Sequence, residues 1–383
     1  MPVSDLPEDL DEFLSGHTQE LIAFRRDLHA HPEVAHTERR STAKVAQRLM
    51  AAGLRPRLMS AGTGMWADIG TGDGPMVALR ADLDALPIPD EKNVPYRSTV
   101  PNACHACGHD VHTTVLLGTG LFLADRAARG LPGRVRLLFQ PAEEVVEGAL
   151  VAMGEGAITG ACDKIRVKVS GPGGHTARPH LTADLVYALG KIVTELPAAL
   201  SRRVDPRSSL SLVWGEVSAG LTHSAIPERG SAAGTVRCLD EQVWHAAPGL
   251  LEELVTSVAS AYGVAAEVEY IRGVPPAVNE PVSTAIVEAA ATQVLGPDAL
   301  SPAPQSLGAE DFAWYLESVP GTLARLGTRT PGLGGHRDLH QATFDVDERA
   351  IGVGVRLMAA TALAALRAGD AVASERLPDV ACA

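Results

Sequence analysis

The sequence has few cysteines, no excess of basic residues and no long apolar run, and each shortage argues against a class of protein. Its five cysteines are spread over 383 residues without the spacing of a disulfide-rich domain. Asp and Glu total 46 against 33 Lys and Arg, a formal net charge of −13, and we expect no nucleic-acid partner because phosphate binding needs basic patches. No uninterrupted apolar run approaches the about 20 residues of a membrane span, so we expect no membrane partner either.

The N-terminal residues are acidic and lack the basic and apolar regions of a signal peptide. We therefore expect a cytoplasmic protein. A chain of 383 residues should form two domains, because single hydrophobic cores stop growing at about 250–300 residues.

Alternating strand and helix patterns at the two ends of the chain predict an α/β sheet. Short apolar strands are predicted at 76–79 and 135–139, with a helix at 111–129 between them and a closing helix at 349–367. The first strand leads into Arg80-Ala-Asp-Leu-Asp-Ala-Leu-Pro87. Its carboxylates therefore lie where open α/β sheets place their ligands.

The middle third of the chain has a different pattern. Strands, helices and strands follow one another there in the order βαββαβ, which is the ferredoxin-like split pattern. We predict that residues 163–275 form an inserted domain. The first domain would then contain residues 1–162 and 276–383.

Two motifs bring potential metal ligands together in the sequence. Residues 104–110 read Cys-His-Ala-Cys-Gly-His-Asp, and residues 140–144 read Gln-Pro-Ala-Glu-Glu directly after an apolar strand. Imidazole, thiolate and carboxylate groups can bind a divalent ion that acidifies a water, and a second carboxylate can take the proton. Each motif also has a simpler interpretation, because Cys-x-x-Cys is often a redox pair or structural half-site and adjacent glutamates are usually solvated.

Further motifs lie at Gly173–His180, Gly308–Phe312, Leu339–His340 and Phe344–Glu348. Together with the two described above, they resemble the motifs of the dinuclear metallo-amidohydrolases. That family includes hippurate hydrolases, plant auxin-conjugate amidohydrolases and related aminoacylases. The resemblance implies an α/β fold, with a zinc-peptidase-like catalytic domain and an inserted ferredoxin-like α+β lid domain.

The resemblance also implies a role for individual residues. It makes Glu143 the general base and His175 a donor to the oxyanion, often acting across a dimer. Asp110 would orient His109, since ligating histidines usually need such a partner. The implied metal ligands are Cys107, His109, Glu144 and His340.

The implied function is hydrolysis of the amide bond in N-acyl amino acids or related small conjugates. Two divalent ions are implied, and zinc, manganese, cobalt and nickel are all chemically admissible. The implied partners are a small-molecule substrate and a second copy of the chain, bound through the lid domain. The alternatives are a dipeptidase or diaminopimelate-type deacylase, and a metal-poor binding or regulatory protein of the same fold.

The chain departs from the family pattern in two places. Ser224, beside His223, stands where the family commonly has an asparagine. The family also has about thirty residues, with a further ligand histidine, in a region where this chain has no histidine between His112 and His175. The chain lacks this segment naturally, or Cys162 or a water replaces the ligand, or the sequence joins residues that flank an omitted loop. The last of these predicts a gap between Gly160 and Ala161, or a strained crossing there.

Overall fold

The computed structural model describes residues 5–71, 74–128, 130–145, 156–332 and 338–369. The chain divides into two compact units. Unit 1 contains Met1–Gly156, Asn279–Ala303 and Tyr315–Ala383, and unit 2 contains Ala157–Val278 and Pro304–Trp314.

The unit boundaries differ from the predicted domains in three places, since residues 157–162, 276–278 and 304–314 all group with unit 2. Residues 276–383 were expected to belong entirely to the first domain, but residues 304–314 group with unit 2. The reason is hydrogen bonding, because Thr159 forms a parallel bridge with Ser306 and the Gly160 N–H donates to the Gly308 carbonyl at 3.1 Å.

Unit 1 contains a mixed four-stranded sheet, in the order β1-β2-β4-β3. Strand β2 pairs antiparallel with β4, and β3 pairs parallel with β4. The strands are β1 Arg57–Leu58, β2 Met65–Ile69, β3 Met76–Asp82 and β4 Arg134–Gln140. The main helices are α1 Leu6–Ala30, α2 Arg39–Ala51, α3 His109–Ala127, α6 Pro281–Leu295 and α8 Arg349–Ala368.

The parallel pair of strands determines where the polar motifs of unit 1 meet. Asp82 at the end of β3 lies opposite Gln140 at the end of β4. Because the carboxyl ends of parallel strands lie at one edge of a sheet, the residues that follow each strand come together there. Strand interiors alternate between buried and half-buried positions, as expected for β-structure.

Helix α3 is buried along most of its length, and α8 packs closely against it. A Cβ added at Gly118 of α3 would lie 2.8 Å from Val355 Cγ2, and one added at Gly354 of α8 would lie 2.7 Å from Val115 Cγ2. The two backbones can approach this closely only because both positions lack a side chain.

By length and composition alone, α8 could cross a membrane, since its mean hydropathy reaches 1.5 over 18 residues. Half of this stretch is buried inside the protein. The core helix of a globular protein meets the same criterion, so the helix is weak evidence for a membrane span.

Unit 2 has the βαββαβ order that the sequence predicted. Its four-stranded antiparallel sheet has the order β11-β6-β10-β8, as in ferredoxin-like folds, and β6 alternates regularly between buried and exposed positions. The strands and helices of this motif are β6 Ala161–Ser170, α4 Leu185–Arg203, β8 Ser211–Ala219, β10 Arg229–Cys238, α5 Glu241–Ser260 and β11 Ala265–Val274.

Shorter elements complete the described chain. Strand β7 (Gly174–His175) pairs with β9 (Ala225–Ile226), and β5 (Gly156–Thr159) pairs with β12 (Ala277–Asn279). Helix α7 spans Ala313–Leu316. Single 3₁₀ turns are found at Glu143–Val145, Pro179–Leu181, Pro206–Ser208 and Pro297–Ala299.

A single residue, Gly160, separates β5 from β6, and Ala161 pairs in register with Cys238. Gly160 is not among the residues with positive φ. The gap or strained crossing expected between Gly160 and Ala161 stays a prediction.

Two glycines of α8 provide a test of the close packing against α3. A Cβ at Gly354 would lie 2.7 and 2.8 Å from Val115, whereas one at Gly352 would meet only Leu14 at 3.8 Å. Both alanine variants gain the same helix propensity, so Gly354→Ala should be less stable than Gly352→Ala by about 1–3 kcal/mol, the usual cost of overpacking. Urea unfolding measures this difference, and equal stabilities of the two variants would contradict the packing.

Candidate metal centre

The Cys/His motif of residues 104–110 forms the turn that begins α3. Gly108 caps the helix in the left-handed region, with φ 90°, where a side chain would be strained. His109 is the first residue of the helix and is buried. Its Nδ1–H donates to the carbonyl of Asp84 at 2.9 Å, so Nε2 carries the free lone pair that a metal ion needs.

The two glutamates lie on a single 3₁₀ turn directly after β4. The turn is fixed by one carboxylate, because Asp84 accepts the backbone N–H of Glu143 at 3.1 Å and that of Glu144 at 2.9 Å. Ala142, just before the turn, has a positive φ of 62°, which is uncommon for a residue other than glycine. Asp84 therefore joins the glutamate turn to the histidine motif.

The distances from His109 Nε2 to the two glutamates are too long for direct hydrogen bonds, but they match the spacing between two ligands of one metal ion. His109 Nε2 lies 3.6 Å from Glu143 Oε2 and 3.8 Å from Glu144 Oε1. These separations exceed a normal hydrogen bond. Ligand atoms bound tetrahedrally at about 2.0–2.3 Å from one ion would stand about 3.3–3.8 Å apart.

His340 reaches the same place from the C-terminal part of unit 1. Its N–H donates to the carbonyl of Ala106 at 2.8 Å, and its Nε2 lies 3.4 Å from Glu144 Oε2. His340 has a positive φ of 62°. Ligand atoms of Cys107, Glu144 and His340 all lie within 4.8 Å of one another, so the structure brings together the four residues that the sequence predicted as ligands.

Burial and neighbouring charges shift the pKa values of the candidate ligands in the absence of a cation. Burial raises the pKa of the Cys107 thiol to about 12 and also raises the pKa of Glu144. Burial alone would lower the pKa of His109, but the neighbouring Asp82, Cys107 and Asp84 raise it well above its usual value. The buried Glu144 Oε1 has no hydrogen-bond partner among the residues that the structure describes. A divalent ion would replace the protons on these groups and satisfy that oxygen, so the residues fit a metal site.

The expected role of Asp110 is wrong. Its carboxylate lies 2.6 Å from Arg25 Nε and 2.7 Å from His29 Nδ1, and no hydrogen bond to His109 is found among the described residues. Asp84 holds His109 instead. The sequence contained a signal for this, because Asp84 follows the end of a predicted strand, but no role was assigned to it.

His175 lies in unit 2, on β7, and its side chain is exposed. The Ala177 N–H donates to His175 Nδ1 at 3.0 Å, so in the neutral ring the proton is on Nε2. Ser224, which departs from the family pattern, accepts the Thr176 N–H through its carbonyl at 3.2 Å. Cys162, considered as a replacement ligand, joins none of the ligand clusters found in the described part of the chain.

Comparison with known proteins gives the family. Residues 78–364 match the model of Peptidase family M20/M25/M40. The N-acetyl-L-cysteine deacetylase of Bacillus subtilis is 35% identical, over 88% of this chain and 86% of that protein. The chain belongs to this peptidase family. It is therefore a hydrolytic enzyme that acts on amide bonds with the help of divalent metal.

Structural similarity leads to the same family. A Bacillus subtilis dinuclear metal-binding peptidase of the M20 family superposes with a TM-score of 0.81, at 30% identity, covering 92% of this chain and 99% of that one. A putative glutamate–cysteine ligase of Rhodococcus jostii is 44% identical over 89% of this chain. The chain spans only 46% of that relative, so the activity in its name is not carried over.

This M20-family chain is shorter than its relatives within the matched region. The alignment with the deacetylase extends over 366 residues, whereas 88% of 383 residues is about 337, so about 29 positions of the relative lack a counterpart. This agrees in size with the segment of about thirty residues that the sequence lacks.

Replacement of Asp84 tests how far the metal centre depends on the link between its two motifs. Asp84→Asn loses one of the two acceptors for the glutamate turn, and loss of such a supporting residue typically weakens metal affinity by about 10–100-fold. Titration calorimetry with Mn²⁺ or Zn²⁺ measures this change. The control is Asp68→Asn on β2, since Asp68 pairs with Arg136 away from the site. Unchanged affinity in Asp84→Asn would contradict the proposed link.

Proposed function

We propose that this enzyme hydrolyses the amide bond of N-acyl amino acids, releasing a carboxylic acid and an amino acid. The observation that carries the proposal is the grouping of Cys107, His109, Glu144 and His340 beside a second glutamate, Glu143. Relatives point to the same substrate class, since they include the N-acetyl-L-cysteine deacetylase and an IAA-amino acid hydrolase of Arabidopsis thaliana.

In the proposed chemistry, metal binding and proton transfer are carried out by different residues. Two divalent ions, when bound, acidify a water molecule and polarise the substrate carbonyl. Glu143 takes a proton from the water as its oxygen forms a C–O bond with the carbonyl carbon. Glu143 then delivers that proton to the amide nitrogen, and the C–N bond breaks to release the amine. Glu143 suits this role because Glu144 provides the adjacent ligand oxygens and leaves its neighbour for proton transfer.

His175 is proposed to stabilise the oxyanion. The hydrogen bond from Ala177 to Nδ1 supports this role, since it leaves Nε2–H as a donor for charge that develops in the transition state. A cavity of about 900 Å³ adjoins this loop and is lined by residues of unit 2 that include Thr176, His223 and Ile226.

Unit 2, the proposed lid, is also the proposed dimer interface. Strand β8 lies at the edge of its sheet, and an exposed edge can pair with a second copy. Val213 and Val217 on this strand are 63% and 54% exposed, and Tyr187 on α4 is 55% exposed. The ligand set admits zinc, manganese, cobalt or nickel. A cytoplasmic location and the absence of nucleic-acid and membrane partners stay predictions.

Hydrolysis of a substrate panel tests the proposed function. N-acetyl, N-benzoyl and N-indoleacetyl amino acids should release free amino acid in the presence of each candidate metal and not after chelation. Dipeptides, offered alongside, distinguish a dipeptidase. A protein that binds no metal and cleaves none of these compounds would be a binding or regulatory protein, and the proposal would fail.

Glu143 and Cys107 should give opposite phenotypes. Glu143→Gln should keep its metal and lose about 10²–10⁴-fold in kcat, the usual contribution of general acid–base catalysis. Cys107→Ser should instead lose metal, since a hydroxyl is a poor anionic ligand at neutral pH. Metal analysis and turnover are measured on the same samples. Undiminished kcat in Glu143→Gln would remove Glu143 from the mechanism.

Mixing two inactive variants tests whether His175 acts across a dimer. His175→Ala should lower kcat and keep its metal. In a mixed dimer with Glu143→Gln, one site would combine an intact Glu143 with an intact His175 from the partner. Random exchange should therefore restore up to about a quarter of wild-type activity. Without any restoration, His175 would act within its own chain or play no catalytic part.

A further inference from the structure

Cys104 is the cysteine of the Cys-x-x-Cys motif that the metal centre does not use. It is fully buried, and its backbone forms an antiparallel bridge with Leu86, since the N–H of each residue donates to the carbonyl of the other at 3.0 Å. Its sulfur lies 3.4 Å from the Nζ of Lys92. Lys92 is 5% exposed, and a lysine is almost never buried to this degree without a partner.

Asp90 holds the Lys92 side chain in place. Lys92 Nζ lies 2.9 Å from Asp90 Oδ1, and the backbone N–H of Lys92 donates to the same oxygen at 3.0 Å. The other oxygen, Oδ2, accepts the N–H of Ser98 at 3.0 Å. Burial alone would raise the pKa of Asp90, but its polar neighbours, His29 first among them, lower it below the usual value. The ionised carboxylate thus keeps the amine against the sulfur.

His29 brings a second positive group to the sulfur. Potential ligand atoms of His29, Asp90 and Cys104 all lie within 4.8 Å of one another. His29 Nε2 is buried, lies 3.4 Å from Asp90 Oδ2 and has no hydrogen bond of normal geometry among the described residues. Burial alone would lower the pKa of His29, but Asp110 and Asp90, together with the sulfur, raise it to about 10. Cations beside a cysteine favour the thiolate, the form that peroxides attack.

His29, Asp90 and Cys104 could also be metal ligands by residue type, but the ammonium group of Lys92 already supplies the positive charge there. It lies 2.9 Å from the Asp90 carboxylate and 3.4 Å from the Cys104 sulfur. A divalent ion at this place would face that ammonium group inside the protein, where charges are screened little. The arrangement therefore favours chemistry between the amine and the sulfur over metal binding.

We propose that Lys92 and Cys104 form a reversible covalent S–N bond, a sulfenamide, when the protein reacts with hydrogen peroxide. The thiolate attacks a peroxide oxygen, so that an S–O bond forms and the O–O bond breaks. Sulfur is oxidised to a sulfenic acid, and the peroxide is reduced to hydroxide, which takes a proton from the Lys92 ammonium and leaves as water. The freed amine then attacks the sulfur and the S–O bond breaks. The departing hydroxide takes a second proton from the nitrogen.

The reaction is balanced without a further reagent. A thiolate, an ammonium group and a hydrogen peroxide molecule give a sulfenamide and two water molecules, and the net charge of the pair stays at zero. A sulfenic acid condenses with a thiol or a nitrogen within reach, and the Lys92 nitrogen is already in contact. Cys107, the next thiol in the chain, is grouped with Glu144 and His340 instead.

Burial of the sulfur selects the reagents that reach it. Hydrogen peroxide is little larger than water, whereas a bulky thiol such as glutathione is kept away from a fully buried side chain. The sulfenic acid is therefore protected from external thiols until the amine closes the bond. The product joins the segment that carries Lys92, which follows Asp84 in the sequence, to the Cys/His motif.

Peptide mass spectrometry of the metal-loaded protein tests the inference. After hydrogen peroxide, alkylation of free thiols and tryptic digestion without reduction, peptide 81–97 should be found joined to peptide 98–126. Its mass should be two hydrogen atoms below the sum of the two peptides, apart from the alkyl group on Cys107. Cleavage after Lys92 should be lost, because trypsin needs the free amine. Dithiothreitol in urea should restore the separate peptides, and fragment ions locate the joined sulfur at Cys104.

Two variants and one cysteine of the same chain are the controls. Lys92→Arg keeps the positive charge without a nucleophilic amine, and Cys104→Ala removes the sulfur, so neither should give the joined peptides. In Lys92→Arg, peroxide should instead convert Cys104 to the sulfinic or sulfonic acid, which dithiothreitol does not reverse. Cys238 is equally buried, but its sulfur contacts the backbone carbonyls of Ser208 and Asp240 rather than an amine. It should form no bond to lysine.

Three results would overturn the inference. Peroxide could leave Cys104 unmodified at a dose that oxidises it fully in urea, or oxidise it to the sulfinic acid in the wild type without joining the peptides. Joined peptides that are heavier by an oxygen atom would overturn the direct S–N bond. Circular dichroism shows whether each variant is folded. If Lys92→Arg does not fold, the wild type, Cys104→Ala and the internal control Cys238 decide the question.

Discussion

The carboxylate of Asp84 is the interaction on which the metal centre depends. Its two oxygens accept the N–H groups of Glu143 and Glu144, while its own carbonyl accepts the imidazole N–H of His109. Burial opposes its ionisation, but hydrogen bonds from His109 and the Glu144 backbone keep its pKa below the usual value. One buried residue, through its carboxylate and its backbone carbonyl, thus joins a helix start and a turn that are far apart in the sequence.

A second buried network supports the other side of the Cys/His motif. Asp110 is held by Arg25 and His29 of α1. Burial alone would raise the pKa of Asp110, but the positive charges of Arg25 and His29 lower it below its usual value. Asp110 therefore anchors the first turn of α3 to α1. Two neighbouring residues thus have different partners, since His109 contacts residues at the edge of the sheet and Asp110 contacts helix α1.

Much of this fold could be predicted from the sequence because its elements carry strong periodicity. The helix predicted at 349–367 is found as Arg349–Ala368, and the strand at 135–139 is found as Arg134–Gln140. The candidate ligands were found through motifs. Asp84 and the contacts of Asp110 were missed, because the direction of a side chain depends on which element packs beside it. The placement of residues 304–314 depends on long-range strand pairing, which local pattern does not encode.

The left-handed backbone at Ala142 and His340 has a consequence for folding energetics. A non-glycine residue in this region costs on the order of 1 kcal/mol. One of these residues, His340, is itself a proposed ligand, and the other, Ala142, directly precedes the turn that carries Glu143 and Glu144. The metal-free protein thus holds these two backbone positions in an unfavourable conformation. The binding energy of a cation would offset part of this cost, so metal binding should raise the free energy of unfolding as well as support catalysis.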